Sequence, residues 1–164
     1  MSAIVALGSN LGDSANILRE AMARLQAYSD EPLLKSSLWK TTPVACPPGS
    51  PNFVNAVIGL APRKEETPES LLQKLQSLER QLGRTTKKIH NEARALDLDL
   101  IAYGQAVRHT PELTLPHPRA HLRRFVLQPL NEIAPALMLP GQAKPVSQLL
   151  AELARGERVA RLDY

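Results

Sequence analysis

The chain opens on a continuous apolar run, Ala3–Leu7, of the length and density expected for a strand buried on both faces. Gly8-Ser9-Asn10-Leu11-Gly12-Asp13 breaks it. Beyond Asp13, a candidate N-cap, residues Ile17, Leu18, Ala21, Met22 and Leu25 recur at helical spacing. Leu33–Lys40 is a weaker strand candidate. Residues 41–51 carry Pro43, Pro47, Pro48 and Pro51, a density that regular structure does not tolerate, so a long loop is predicted there. Phe53–Ala61 alternates, with Val54, Ala56, Ile58 and Leu60 on one face and Phe53, Asn55 and Val57 on the other. Thr67-Pro68 starts a second helix, Leu71, Leu72, Leu75, Leu78 and Leu82 form its apolar stripe, and Gly83 ends it. A cationic loop, Arg84–Arg94, precedes the strand Leu96–Tyr103, whose leucines face one way and Asp97 and Asp99 the other. Further helices are predicted near Arg124–Ile133 and Val146–Ala154. The order β-α-β-β-α-β with a C-terminal extension predicts an α+β, ferredoxin-like fold: one antiparallel sheet with helices on one face, in a single domain over residues 1–164.

Composition narrows the function classes. With 164 residues, 43% hydrophobic and 22% charged, the chain has the balance of a folded domain, and no stretch approaches the ~20 apolar residues of a membrane span. Met1–Gly12 lacks the basic start of a secretory signal. One cysteine, Cys46, excludes an intrachain disulfide, and a reducing, cytoplasmic setting is expected. Twenty basic and sixteen acidic residues leave a net charge of +4, which suits anionic small molecules.

Asp97-Leu98-Asp99 is the sharpest local signal. Residues i and i+2 of a strand point the same way, about 6.6 Å apart. Two carboxylates so placed repel each other, and a hard divalent cation shared with phosphate oxygens would reward the arrangement. The competing reading is a solvated strand face with two surface acids. Arg84, Lys87, Lys88 and Arg94 upstream and Arg123 and Arg124 downstream would supply phosphate-binding groups, or simply a solvated basic surface. Gly8–Asp13 has neither a Walker lysine nor a GxGxxG pattern, so it reads as turn plus helix cap. His117 and His121 are four apart with Pro118 between them, which is no zinc spacing. Phe53 shares a strand face with Asn55, a pairing that suits a flat heterocycle with hydrogen-bonding edges, although core packing is the usual fate of a phenylalanine.

Taken in order, Gly8–Asp13, Phe53-Val54-Asn55-Ala56, Glu79 through Gly83-Arg84, Arg94-Ala95-Leu96-Asp97-Leu98-Asp99, and Leu115-Pro116-His117-Pro118 through Arg123, Phe125 and Pro129-Leu130 resemble the 6-hydroxymethyl-7,8-dihydropterin pyrophosphokinase family. The resemblance runs from residue 3 to about residue 140, with five blocks in register. It implies a cytoplasmic monomer of folate biosynthesis that transfers pyrophosphate from ATP to the reduced pterin alcohol and releases AMP. It further implies that Asp97 and Asp99 bind two Mg²⁺ ions, and that Phe53 and Phe125 sandwich the pterin. Asn55 and backbone groups of Thr41, Thr42 and Val44 would meet the pterin edge. Gln76 and Glu79 would line the nucleotide side, Arg84, Arg94, His117 and Arg123 would hold phosphates, and Leu100, Leu113 and Thr114 would contact adenosine. Arg84, Arg94, Asp97, Asp99 and His117 form the implied catalytic group, and the two loops match the family's lids. Asn91-Glu92-Ala93 stands where the family commonly has Trp-Gly-Pro, and Thr86 and Glu112 stand where arginines are common; these departures bear on the second lid and the nucleotide grip. The reading from a different class is a basic ferredoxin-like RNA-binding module without catalysis. It lacks the aromatic-rich strand motif such modules use, since aromatics are only 4% of the chain. Neither nucleic acid nor membrane is expected as a partner.

Overall fold

The long strands carry apolar side chains on both faces, and this decides the layering. The computed structural model describes residues 3–10, 13–42, 53–83, 96–153 and 158–162. Along the chain come β1 (Ala3–Ser9), α1 (Ser14–Leu25), β2 (Leu34–Lys35), β3 (Trp39–Thr42), β4 (Phe53–Leu60), α2 (Pro68–Gly83) and β5 (Asp97–Tyr103). β6 (Arg108–His109), β7 (Thr114–Leu115), α3 (Arg124–Ile133), α4 (Val146–Glu152) and β8 (Arg158–Arg161) follow. The main sheet has the order β5-β1-β4-β3-β8, with β2 also pairing on β4, and its pairings are antiparallel. β6 and β7 form a separate ribbon.

On one face Val5, Leu7, Ile58, Leu60, Leu98 and Leu100 pack against Leu18 and Leu25 of α1 and Leu71, Leu75 and Leu78 of α2. On the other, Ile4, Ala6, Val57 and Ile101 pack against Val126, Leu127 and Leu130 of α3 and Val146 of α4. The expectation of helices on one face is therefore corrected. α1 and α2 do share a face, but the C-terminal extension covers the opposite one. The physical reason lies in β1 and β4, whose alternate residues are apolar too; an uncovered second face would leave Ile4 and Val57 in water.

Local departures from expectation have equally direct causes. The single strand predicted over Leu33–Lys40 is split into β2 and β3. Between them Ser36 takes over the ladder, its amide donating to the Val57 carbonyl at 3.0 Å and its hydroxyl accepting the Val57 amide at 2.9 Å. Asp13 sits at the N-cap of α1 and its carbonyl accepts the Ile17 amide at 3.0 Å, but its carboxylate accepts from the Asn16 side chain instead of a helix amide. At α2 the expected cap is present: Thr67 Oγ1 accepts the Ser70 amide at 3.0 Å, just ahead of Pro68.

Glu132 on α3 ties the second helical layer to the sheet edge. It accepts the Ser37 amide at 2.8 Å, the Ser37 hydroxyl at 2.5 Å and Trp39 Nε1 at 3.1 Å, with Arg161 of β8 at 4.0 Å. Burial alone would raise its pKa. The Ser37 and Trp39 donors and the Arg161 charge outweigh burial and hold the carboxyl below its usual value. A depressed acid contributes stability above its unfolded pKa and loses it as pH falls through the folded pKa. Glu132→Gln is accordingly expected to cost about 1 kcal/mol at neutral pH, modest because the site is partly solvated. Urea titrations of both forms should show that gap closing as pH drops below the ordinary carboxylate range. A gap that stays constant on acidification would show that the charge contributes nothing.

Candidate active site

Strand register places the candidate side chains in rows. Gly8 of β1 is paired with Asn55 of β4 on one side and Asp97 of β5 on the other, and Ala6 is paired with Val57 and Asp99. Across the next pair of strands Trp39 faces Asn55 and Thr41 faces Phe53. Directly paired residues point to the same side of a sheet. Phe53, Asn55, Asp97 and Asp99 therefore share the face that α3 covers further along. The grouping of an aromatic and an amide on one strand face, predicted from alternation, is observed.

Asn55 is held firmly. Thr41 Oγ1 donates to its Oδ1 at 2.8 Å, and the two residues are only 2% and 7% exposed. Sequence reasoning gave Thr41 a backbone role only and missed its hydroxyl, because the register that brings β3 beside Asn55 has no signature in the pattern of residues. Phe53, by contrast, is 37% exposed at the start of β4.

The acidic side of the site lies on β5, an edge strand of the sheet. Glu79 of α2 reaches that edge and accepts the Leu98 amide at 2.6 Å. Burial is the main reason its pKa is pushed up to about 7; the Leu98 amide opposes the shift, and the Asp97 and Asp99 charges reinforce it. Among the described residues no group of three or more His, Cys, Asp or Glu side chains forms a metal cage. The donor set nevertheless fits Mg²⁺, which takes hard oxygens and is commonly held by one or two carboxylates with phosphates and water completing the shell.

The cationic side lies at the start of α3 and just before it. The His117 amide donates to the Ile101 carbonyl at 2.9 Å, which fixes this loop against β5. Its Nδ1 accepts the Arg119 amide at 3.1 Å, so the neutral ring carries its proton on Nε2. Burial above all, then the Arg123 and Arg119 charges, hold the His117 pKa below its ordinary value, with Asp97 opposing. Arg123 lies over the ring of Phe125, 5.4 Å from its centroid, so an aromatic surface and a guanidinium adjoin each other.

Among the remaining expected residues, Gln76 and Thr114 are exposed. Leu100 and Leu113 are 4% and 6% exposed and belong to the core under α1 and α2. Thr42 ends β3, while Val44, Arg84 and Arg94 lie outside the described residues, as do Thr86 and the 91–93 departure. Glu112 is exposed just before Leu113.

Comparison with known proteins identifies the family. The family described as 7,8-dihydro-6-hydroxymethylpterin-pyrophosphokinase (HPPK) matches residues 4–135. The 2-amino-4-hydroxy-6-hydroxymethyldihydropteridine pyrophosphokinase of Haemophilus influenzae is 37% identical over 156 residues, covering 94% of this chain and 92% of its own length. The Bacillus subtilis protein of the same name is 36% identical over 132 residues, covering 80% of this chain and 77% of its own. Among solved structures, wild-type Plasmodium falciparum HPPK-DHPS superposes with a TM-score of 0.73 at 13% identity, over 92% of this chain and 44% of that one, a likeness of fold.

The Thr41–Asn55 contact can be tested by itself. Thr41→Val deletes the donor and leaves a buried amide oxygen without it, with an expected loss of about 1–3 kcal/mol in urea unfolding. Thr41→Ser should recover most of that loss. A valine variant as stable as the parent would mean that Asn55 Oδ1 finds another donor and the hydroxyl is dispensable.

Proposed function

Because this chain belongs to the 7,8-dihydro-6-hydroxymethylpterin-pyrophosphokinase family, we propose that it transfers the pyrophosphoryl group of ATP to 6-hydroxymethyl-7,8-dihydropterin in folate biosynthesis. The products are the pterin diphosphate and AMP. The observation that carries this reading is the register that puts Asn55, an amide for a heterocycle edge, across Gly8 from Asp97, with Asp99 in the adjacent row completing a carboxylate pair suited to a metal-bound triphosphate.

In this reading Phe53 and Phe125 stack on the pterin, and Asn55, with backbone of Thr41, Thr42 and Val44, holds its edge. Asp97 and Asp99 would hold Mg²⁺, two ions by family resemblance, which would supply charge neutralisation at the triphosphate. His117, neutral and protonated at Nε2, donates to a phosphate oxygen, and Arg123 contributes a bidentate fork. Arg84 and Arg94 are assigned to phosphates from the sequence match alone. Gln76, Glu79, Leu100, Leu113 and Thr114 are assigned to the nucleotide side on the same ground. For the two leucines, their burial in the core restricts what they offer a ligand to backbone groups.

The hydroxymethyl oxygen attacks the β-phosphorus, the bond from that phosphorus to the oxygen bridging the α-phosphate breaks, and AMP departs with that oxygen. The hydroxyl proton is released. Such a step depends on in-line placement and charge neutralisation more than on a strong base. We read the strand order β5-β1-β4-β3 as the ferredoxin-like one with β8 added at the edge. We also place the chain in the cytoplasm as a monomer of one domain, a setting its single cysteine supports. The RNA-binding alternative loses its basis here, since such a module needs a bare sheet face and α3 and α4 cover much of this one.

A coupled assay of AMP release from Mg-ATP and the reduced pterin alcohol tests the reading. Asp97→Ala and Asp99→Ala are expected to abolish turnover while thermal unfolding shows the fold retained. Near-native activity in either variant would remove the metal assignment.

Phe125→Ala is expected to weaken pterin binding by about 1–3 kcal/mol, as loss of a stacked ring does elsewhere, and to leave ATP binding nearly unchanged. Titration calorimetry with each ligand separates the two effects. Equal losses would make Phe125 a packing residue of the α3 layer.

A further inference from the structure

Gly8 sits in the middle of the site with no part in the reaction as described. It lies in extended strand, paired on both sides, and its backbone does not adopt the left-handed conformation seen at Gly104 and Gly141. Conformation therefore does not require a glycine there. A glycine inside a strand is unfavourable, because it loses chain entropy and packs nothing. The requirement comes from the neighbouring strand. A Cβ placed on Gly8 would stand 3.0 Å from Nδ2 of Asn55, tighter than nine in ten real Cβ contacts, so the amide would have to give way by a few tenths of an ångström. Thr41 already holds the other end of that amide through Oδ1 at 2.8 Å. The amide thus spans from the Thr41 hydroxyl on β3 to the bare α-carbon of Gly8 on β1, and a methyl group at Gly8 could be accommodated only by moving it.

We propose that Gly8 is a positioning residue for the pterin: its missing side chain is the seat of the Asn55 amide, and it acts on the substrate only through Asn55. The inference rests on the assignment of Asn55 to the pterin edge, and the test keeps the two apart. Because the crowded atom is the far end of a side chain and not backbone, Gly8→Ala displaces the amide and spares the sheet.

The experiment measures thermal unfolding and binding for the parent, Gly8→Ala, Asn55→Ala and the double variant. Binding is measured with a non-reactive Mg-ATP analogue alone, and with 6-hydroxymethyl-7,8-dihydropterin in its presence. Gly8→Ala is expected to melt at the same or a higher temperature, bind the nucleotide analogue within about twofold of the parent, and bind the pterin at least about tenfold more weakly. In the Asn55→Ala background the same substitution should change pterin affinity by less than about threefold, the signature of two residues acting as one. Unchanged pterin affinity in Gly8→Ala overturns the inference, as do additive losses in the double variant. A Gly8→Ala chain that loses stability and both ligands alike, or does not fold, also overturns it and makes Gly8 a packing residue of β1. If Asn55→Ala alone binds pterin like the parent, the assignment of Asn55 to the pterin fails, and the inference with it.

Discussion

The register of β1 between its two neighbours is the constraint on which both cores and the candidate site depend. Each residue from Ala3 to Gly8 is matched to one on β4 and one on β5, so Val5 and Leu7 look toward α1 and α2 while Ile4 and Ala6 look toward α3. A slip of one residue on β5 would turn Asp97 and Asp99 into the leucine core and put Leu98 and Leu100 on the other face. Burying two carboxylates costs several kcal/mol each, so the sequence specifies this register strongly. The one adjustment lies at Ile4/Val5, where the pairing shifts and Ile101 is left extra on β5. That shift lets both Ile101 and Ala102 serve the α3 core while Asp97 and Asp99 stay opposite Gly8 and Ala6.

Charge is sorted across this end of the sheet in a way that packing alone would not produce. Glu79, Asp97 and Asp99 crowd the β5 edge, and Glu79 rises to about 7 because it is buried there and has carboxylate neighbours. On the opposite side His117 is held toward its neutral form by burial and by Arg123 and Arg119. Repulsion on both sides is a local cost to stability, and perturbed groups gathered in this way are a mark of functional sites. The Leu98 amide adds a structural tie to the acidic side, since Glu79 both feels the aspartates and holds the strand that presents them.

Much of this was legible in the sequence because alternation and chemistry coincide on single strands. Leu96–Tyr103 displays its leucines and aspartates at period two, and Phe53–Leu60 separates an amide and an aromatic from an aliphatic row, so those faces could be read without neighbours. The start of α2 was legible for a similar reason, Thr67-Pro68 being a local signal. What stayed hidden depends on which segments meet. Nothing within Arg124–Ile133 says that its Val126, Leu127 and Leu130 cover the second sheet face. Nothing within Leu33–Lys40 says that Ser36 will stand in for a ladder residue. Gly8 read as part of a turn because its role comes from Asn55, 47 positions away in the sequence and adjacent only after β1 and β4 pair. The sites of Arg84, Arg94 and Val44 rest on family resemblance, since they lie outside the described residues.

The boundary between core and candidate site is one step along the strands. The row Val57–Ala6–Asp99 still touches the α3 layer through Val57 and Ala6, whereas the next row, Asn55–Gly8–Asp97, contributes to neither apolar core. α3 marks the change, because its middle, Val126, Leu127 and Leu130, is buried while its first turn carries Phe125 and adjoins Arg123. The helix that closes the second core therefore also carries a ring beside a cation at that end of the face. Lengthening its apolar stripe toward the N-terminus would bury more surface and close the site; shortening it would expose Ile4 and Val57. The first turn of α3 therefore stands at the boundary between the second core and the row Asn55–Gly8–Asp97, so in the proposed reading the extension serves the site as well as the fold.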